Sequence, residues 1–211
     1  MVNAIVKEPD GVSRCFWACG SDEYLKYHDE EWGVPTRDDR WIFEKICLEG
    51  FQSGLSWLTI LNKRENFRKA FANFEIEKVA QFDFQNVNKL VKNTGIIRHR
   101  GKIESTINNA KRALEMQEEF GSLAAFFWQY ERRLEVPPMK SSSAGSAMVS
   151  KTAESTELSK ELKRRGWGFT GPTTAYAFMQ ASGIVNDHIY GCEAGGRCIK
   201  RRTEFEVPKP K

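Results

Sequence analysis

The chain has 211 residues, a formal net charge of +4, 40% hydrophobic residues and 28% charged residues. These are the proportions of an ordinary globular protein, one domain or a compact pair of subdomains. No apolar run approaches the roughly 20 residues of a membrane span, and the N-terminus (MVNAIVKEPD) lacks the charged-then-apolar pattern of a secretion signal. Five irregularly spaced cysteines point to reduced thiols or metal ligands in an intracellular, cytoplasmic or nuclear setting.

In chain order, the first feature is a Cys–His element, Cys15 and His28, answered near the far end by His188 and Cys192. Two thiolates and two imidazoles fill a tetrahedral zinc shell and leave no open position, the composition of a structural rather than a catalytic site. Such a site ties the first part of the fold to the last. Spacing leaves other sets open: Cys15 with Cys19 is a short chelate, and Cys198 is also available. Cys47, between Ile46 and Leu48, reads as a small core hydrophobe.

Apolar residues recurring at three and four predict helices over 38–50, 58–74, 86–93, 98–120, 122–130, 155–165 and 173–182. No long β-branched alternation occurs, so the fold class is mostly α. The segment 136–150, rich in Ser and Pro, reads as a connecting loop. Helices 86–93 and 98–120 flank the turn T-G-I-I and form a hairpin whose second helix starts among Arg98, His99, Arg100 and Lys102. The free N–H groups at such a start hold phosphate, which makes this hairpin, with Gly95 in its turn, a candidate phosphate contact. Basic clusters at Lys63, Arg64, Arg68 and Lys69, and from Arg197 to the C-terminus, suit a phosphate backbone or, equally, a solvated helix face.

For chemistry, Glu49 stands out. Ile42, Ile46 and Glu49 share one seam of a predicted helix, so the carboxylate must be paired, protonated or facing a cavity, unless it reaches solvent at the helix end. Lys45 is the one basic residue a helical turn away. Six tryptophans and the aromatics Trp17, Tyr24, Tyr27, Trp32 and Trp57 read first as core. With a carboxylate they would also line a pocket for a flat, positively charged ring, held by stacking and cation–π attraction.

These residues lie in longer strings. R-C-F-W at 14–17, Y-L-K-Y-H-D-E-E-W-G-V-P at 24–35, I-C-L-E-G-F-Q-S-G-L-S-W at 46–57, L-N-K-R-E-N-F at 61–67, G-I-I-R-H-R-G-K-I at 95–103 and F-M-Q-A-S-G-I-V-N-D-H at 178–188 resemble the 3-methyladenine DNA glycosylase I family. The resemblance runs from about 14 to 192. It implies a helix-hairpin-helix DNA glycosylase fold with a hairpin at about 86–117, in a single domain over 14–195. Residues 1–13 would be an N-terminal extension and 196–211 a basic tail. It further implies structural zinc on Cys15, His28, His188 and Cys192, and Glu49 as the acidic residue of a base pocket. Tyr27, Trp32 and Trp57, with Trp17 and Tyr24 nearby, would be its aromatic walls, and Leu55 an apolar side chain near the DNA stack.

The implied partner is double-stranded DNA carrying alkylated bases, met by a monomer with no membrane attachment. Phe16 and Phe51 depart from the smaller or polar residues expected there, which puts pocket width in doubt. No lysine stands where an amine nucleophile is expected, so the implied enzyme is monofunctional. Two rivals remain. His28-Asp29-Glu30 fits the H-x-E of a zinc deaminase, but no P-C-x-x-C follows. A non-catalytic DNA binder would use the same hairpin and basic clusters.

Overall fold

Side-chain caps set most of the helix starts. In the computed structural model, which describes residues 4–131 and 149–211, Ser21 caps α1 (Asp22–Glu30), Asp38 caps α2 (Asp39–Gln52) and Ser56 caps α3 (Trp57–Leu61). Each accepts a backbone N–H that the first turn would otherwise leave unpaired. Then come α4 (Arg64–Ala70) and α5 (Ile76–Ala80). Asp83 and Asn86 close a reciprocal capping box at α6 (Phe84–Leu90), and His99 caps α7 (Arg100–Phe120). Ser122 caps α8 (Leu123–Phe127). Thr152 and Ser155 form a second box at α9 (Ala153–Arg164). Pro172 opens α10 (Pro172–Ala181), where its missing N–H costs nothing. The last helix is α11 (Glu193–Glu204).

The mostly helical expectation holds, with shifted boundaries. The helix expected over 58–74 is three pieces. It breaks between α3 and α4, and ends in a short 3-10 turn in which Ala72, Asn73 and Phe74 have φ of 49°, 56° and 54°. Left-handed backbone at non-glycine residues costs about 1–3 kcal/mol each. Full burial of Phe74, stacked on Phe71 at 5.6 Å between ring centroids, offsets part of that cost. The periodicity gave no sign of α1, α5 and α11, or of two three-residue strands, β1 (Ile5–Lys7) and β2 (Ser13–Cys15), paired antiparallel with Ile5 opposite Cys15. Three residues are too few for alternation to register. Most of the loop expected at 136–150 lies outside the described residues.

Helix α2 is the axis of the molecule. Every residue from Ile42 to Phe51 is buried, because α7, α8 and α10 pack around it. A second association brings α1 against α11, and α11 against β2, so chain start and chain end meet. Beyond α11 the chain folds back: Phe205 packs on Trp128 at 4.7 Å, and the Lys211 N–H donates to the Phe120 carbonyl at 3.2 Å.

Candidate active site and metal centre

Where β2, α1, the loop after α10 and the start of α11 converge, Cys15, His28, His188 and Cys192 are all buried, and their ligand atoms lie within 4.8 Å of one another. Cys192 Sγ is 3.4 Å from His188 Nδ1 and 3.5 Å from His28 Nε2, and Cys15 Sγ is 3.8 Å from His188 Nδ1. The outward ring nitrogens are also engaged. His28 Nδ1 meets Asp29 Oδ1 at 2.8 Å, and His188 Nε2 meets the Trp32 carbonyl at 3.0 Å. Protons on those two atoms leave the inner lone pairs free for an ion. The Ile189 N–H donates to Cys15 Sγ at 3.3 Å, and Arg14 holds Asp29 at 2.7 Å. Contact with Cys15, then with His188 and His28, holds the Cys192 thiol well below the usual range. This four-residue group could hold a metal ion. Cβ atoms are excluded where it packs tightest, since one on Gly195 would come within 2.6 Å of His188 Cβ.

The alternative ligand sets do not form. Cys19 Sγ turns to the Cys15 carbonyl, Cys198 Sγ to the Trp32 carbonyl, and Cys47 is buried in the core of α2. The deaminase reading fails as well: Glu30 is exposed, and the four donors leave no position for a catalytic water.

Glu49 is 5% exposed on the last turn but one of α2. No hydrogen-bond partner for its carboxylate exists among the described residues. Burial pushes its pKa up to about 8, against the opposing charge of Lys45. Burial raises the pKa of Tyr24 and of Tyr27, keeping both phenols neutral, and the charge of Glu49 adds to the rise in both. Trp57, the first residue of α3, packs on Tyr27 at 5.3 Å between centroids, and its buried Nε1 has no partner. A carboxylate with no partner among the described residues and a buried, unpaired indole N–H beside aromatic faces mark a place built for a polar ring.

The other two candidate aromatics stand against the metal group. Trp17 and Trp32 meet edge-on at 4.8 Å; Trp32 lies 4.6 Å from the His188 ring and Trp17 lies 5.2 Å from that of His28. Trp17 also reaches Tyr24 at 5.9 Å, so ring contacts run from the metal group to the Glu49 side of α1. Phe51 packs in the core on Phe67 at 4.6 Å, and Phe16 is half-buried.

At the hairpin, α6 and α7 flank the turn at 91–99. Arg98, His99 and Arg100 are exposed. His99 Nδ1 accepts the Lys102 N–H at 3.2 Å, and Arg100 is shared by Glu104 and Asn88. The Gly95 N–H donates to Asn93 Oδ1 at 2.9 Å, and Lys63 Nζ ties the Thr94 carbonyl at 3.3 Å. Lys102 corrects the sequence reading, because it is not a surface cation. It is buried, and its Nζ donates to the carbonyls of Phe51 at 2.9 Å and Ser53 at 2.7 Å. It satisfies the end of α2 and pins the turn that carries Leu55, which is 42% exposed. Beside it, Phe169 holds φ at 55° with its ring edge-on to His99; periodicity could not single it out.

Residues 17–195 match the family model described as Methyladenine glycosylase. This chain belongs to that family. It is 45% identical to DNA-3-methyladenine glycosylase 1 of Escherichia coli (strain K12) over 181 residues, 86% of this chain and 96% of that one. A crystal structure of 3-methyladenine DNA glycosylase I superposes with a TM-score of 0.77 at 46% identity, covering 85% of this chain and 98% of that one. The Staphylococcus aureus glycosylase, whose structure concerns 3-methyladenine recognition, gives a TM-score of 0.79 at 35% identity over 86% of this chain and 96% of that one. The helical fold is theirs.

Proposed function

We propose that this protein is a monofunctional DNA glycosylase that hydrolyses the N-glycosidic bond of 3-methyladenine in alkylated DNA, freeing the base and leaving an abasic site. The observation that carries the reading is Glu49: a carboxylate on a buried residue with no hydrogen-bond partner among the described residues, electrostatically coupled to Tyr24 and Tyr27, with Trp57 packed on Tyr27. Methylation at N3 makes adenine a cation and a good leaving group, so strong protonation of the base is unnecessary. The enzyme must draw the nucleotide from the duplex, which costs a few kcal/mol of unstacking. It must then hold the ring between π-faces.

Glu49 accepts hydrogen bonds from the adenine edge, and its charge favours the electron-poor sugar as the bond breaks and water attacks the anomeric carbon. Unmodified adenine carries no charge and gains less from such a pocket. A helix-hairpin-helix built of α6 and α7 lies against phosphates through Arg98, His99 and Arg100, with Leu55 at the stack. One unit, 14–195, performs all of this.

The donor set of the metal group fits zinc. Tetrahedral bonds of about 2.3 Å to sulfur and 2.0–2.1 Å to nitrogen put S···N edges near 3.5 Å, and three such separations lie between 3.4 and 3.8 Å. Zinc held by Cys15, His28, His188 and Cys192 would supply a cross-link and no reaction step.

The test is incubation with methylated duplex DNA and chromatography of the released bases. Free 3-methyladenine with no borohydride-trappable protein–DNA adduct is expected. DNA binding without base release would make the protein a binder only.

A further inference from the structure

Besides Glu49 and Glu44, helix α2 carries a buried cation for which base excision as described has no use. Lys45 is fully buried, one turn before Glu49. Its ammonium donates to Glu31 Oε2 at 2.7 Å and lies 4.8 Å from the Tyr27 ring centroid and 4.5 Å from that of Trp41. Glu31 is shared, because Arg64 Nη1 reaches its two oxygens at 2.7 and 2.6 Å. One carboxylate between two cations leaves a surplus positive charge inside the protein. Burying an ammonium strips it of its hydration, and a methionine would fill the same volume without that cost.

We infer that Lys45 is a positioning residue for Glu49: its clamped ammonium supplies the fixed positive field that lets the carboxylate ionise where no described residue hydrogen-bonds it. The inference rests on the base-excision reading and says how that site is tuned.

The surrounding charges leave this role to Lys45. On α1, Tyr24 and Tyr27 lie close enough to feel the charge of Glu49, and burial keeps both phenols neutral. On α2, Lys45 opposes the effect of burial on Glu49. Glu44, also on α2, is occupied by Arg68 at 2.7 Å and Arg40 at 3.8 Å. Burial pulls Lys45 below the ordinary lysine value, and Glu31 opposes that. Glu31 itself stays below the ordinary carboxylate value because Lys45 and Arg64 outweigh its burial.

The experiment follows the Glu49 carboxyl by carbon-13 NMR titration without DNA, and kcat/KM against pH on methylated duplex, in the wild type and in Lys45→Met. The expected result is a Glu49 midpoint about one unit higher in the variant. The alkaline-rising limb of kcat/KM should move with it, giving about a tenfold loss at neutral pH that is recovered above both midpoints. A folded variant whose Glu49 titrates at the wild-type pH overturns the inference. Should Lys45→Met not fold, Lys45→Gln keeps a hydrogen bond to Glu31 without the charge and must give the same shift. The NMR midpoint needs no turnover, so absence of base release from the wild type would defeat the base-excision reading and leave the Lys45 measurement intact.

Discussion

A carboxylate that burial holds at a pKa of about 8 has two measurable consequences. In the free enzyme kcat/KM should rise with pH through that value as Glu49 becomes the anion that the cationic base requires. Glu49→Gln should remove this limb and lower single-turnover excision by about 10²–10³-fold, the usual cost of one well-placed electrostatic contact, with DNA binding unchanged. An unchanged rate in that variant would leave Glu49 without a catalytic role. The second consequence is for stability. Unfolded, Glu49 loses its proton near 4.5, whereas folded it keeps the proton to about 8. Between those values the folded state binds more protons, so this group's contribution falls as pH rises. Glu49→Gln should therefore raise the melting temperature at pH 8.5 and change it far less at pH 4.5, as thermal denaturation at the two pH values will show.

Among the elements, α7 and the turn after α2 act as one piece through Lys102. Its two bonds to the Phe51 and Ser53 carbonyls join the hairpin helix to the segment that displays Leu55 and starts Trp57. Charge-assisted bonds of this kind contribute about 1.5–3 kcal/mol each. Lys102→Met should lower the melting temperature and speed amide exchange over 53–57. Excision from duplex DNA should fall with it, while the salt dependence of binding should stay as in the wild type, because this ammonium is already bound to two carbonyls. A reduced salt slope would restore Lys102 to the DNA contacts. The basic cluster that looked uniform along the chain thus divides by burial: Arg98, His99 and Arg100 are exposed, and Lys102 serves as an internal clamp.

For the whole molecule, the metal group is where the first strand pair and the last helix are joined to α1. A chelator that strips the ion should lower the melting temperature and release both chain ends to exchange together, since binding of an ion to the folded state alone contributes directly to folding free energy. Elemental analysis should give one zinc per chain. A metal-free protein that melts as the loaded one does would deny the group any structural role. Asp29→Asn should weaken metal affinity by about 10–100-fold, because Asp29 orients His28 and is itself held by Arg14.

Much of this was legible in the amino-acid order alone. The Cys–His group that could hold a metal ion, the acidic residue on an apolar seam and the helical class all follow from residue type, period and the strings shared with a known family. Local rules failed where partners are distant in sequence. Three-residue strands, the left-handed turn at Ala72–Phe74, the burial of Lys102, and the lysine clamped between Glu31 and Tyr27 all depend on segments that only packing brings together. A side chain's chemistry is set by its own atoms, but its charge state and task are set by what excludes water from it, and that environment exists only once α7, α8 and α10 have closed around α2.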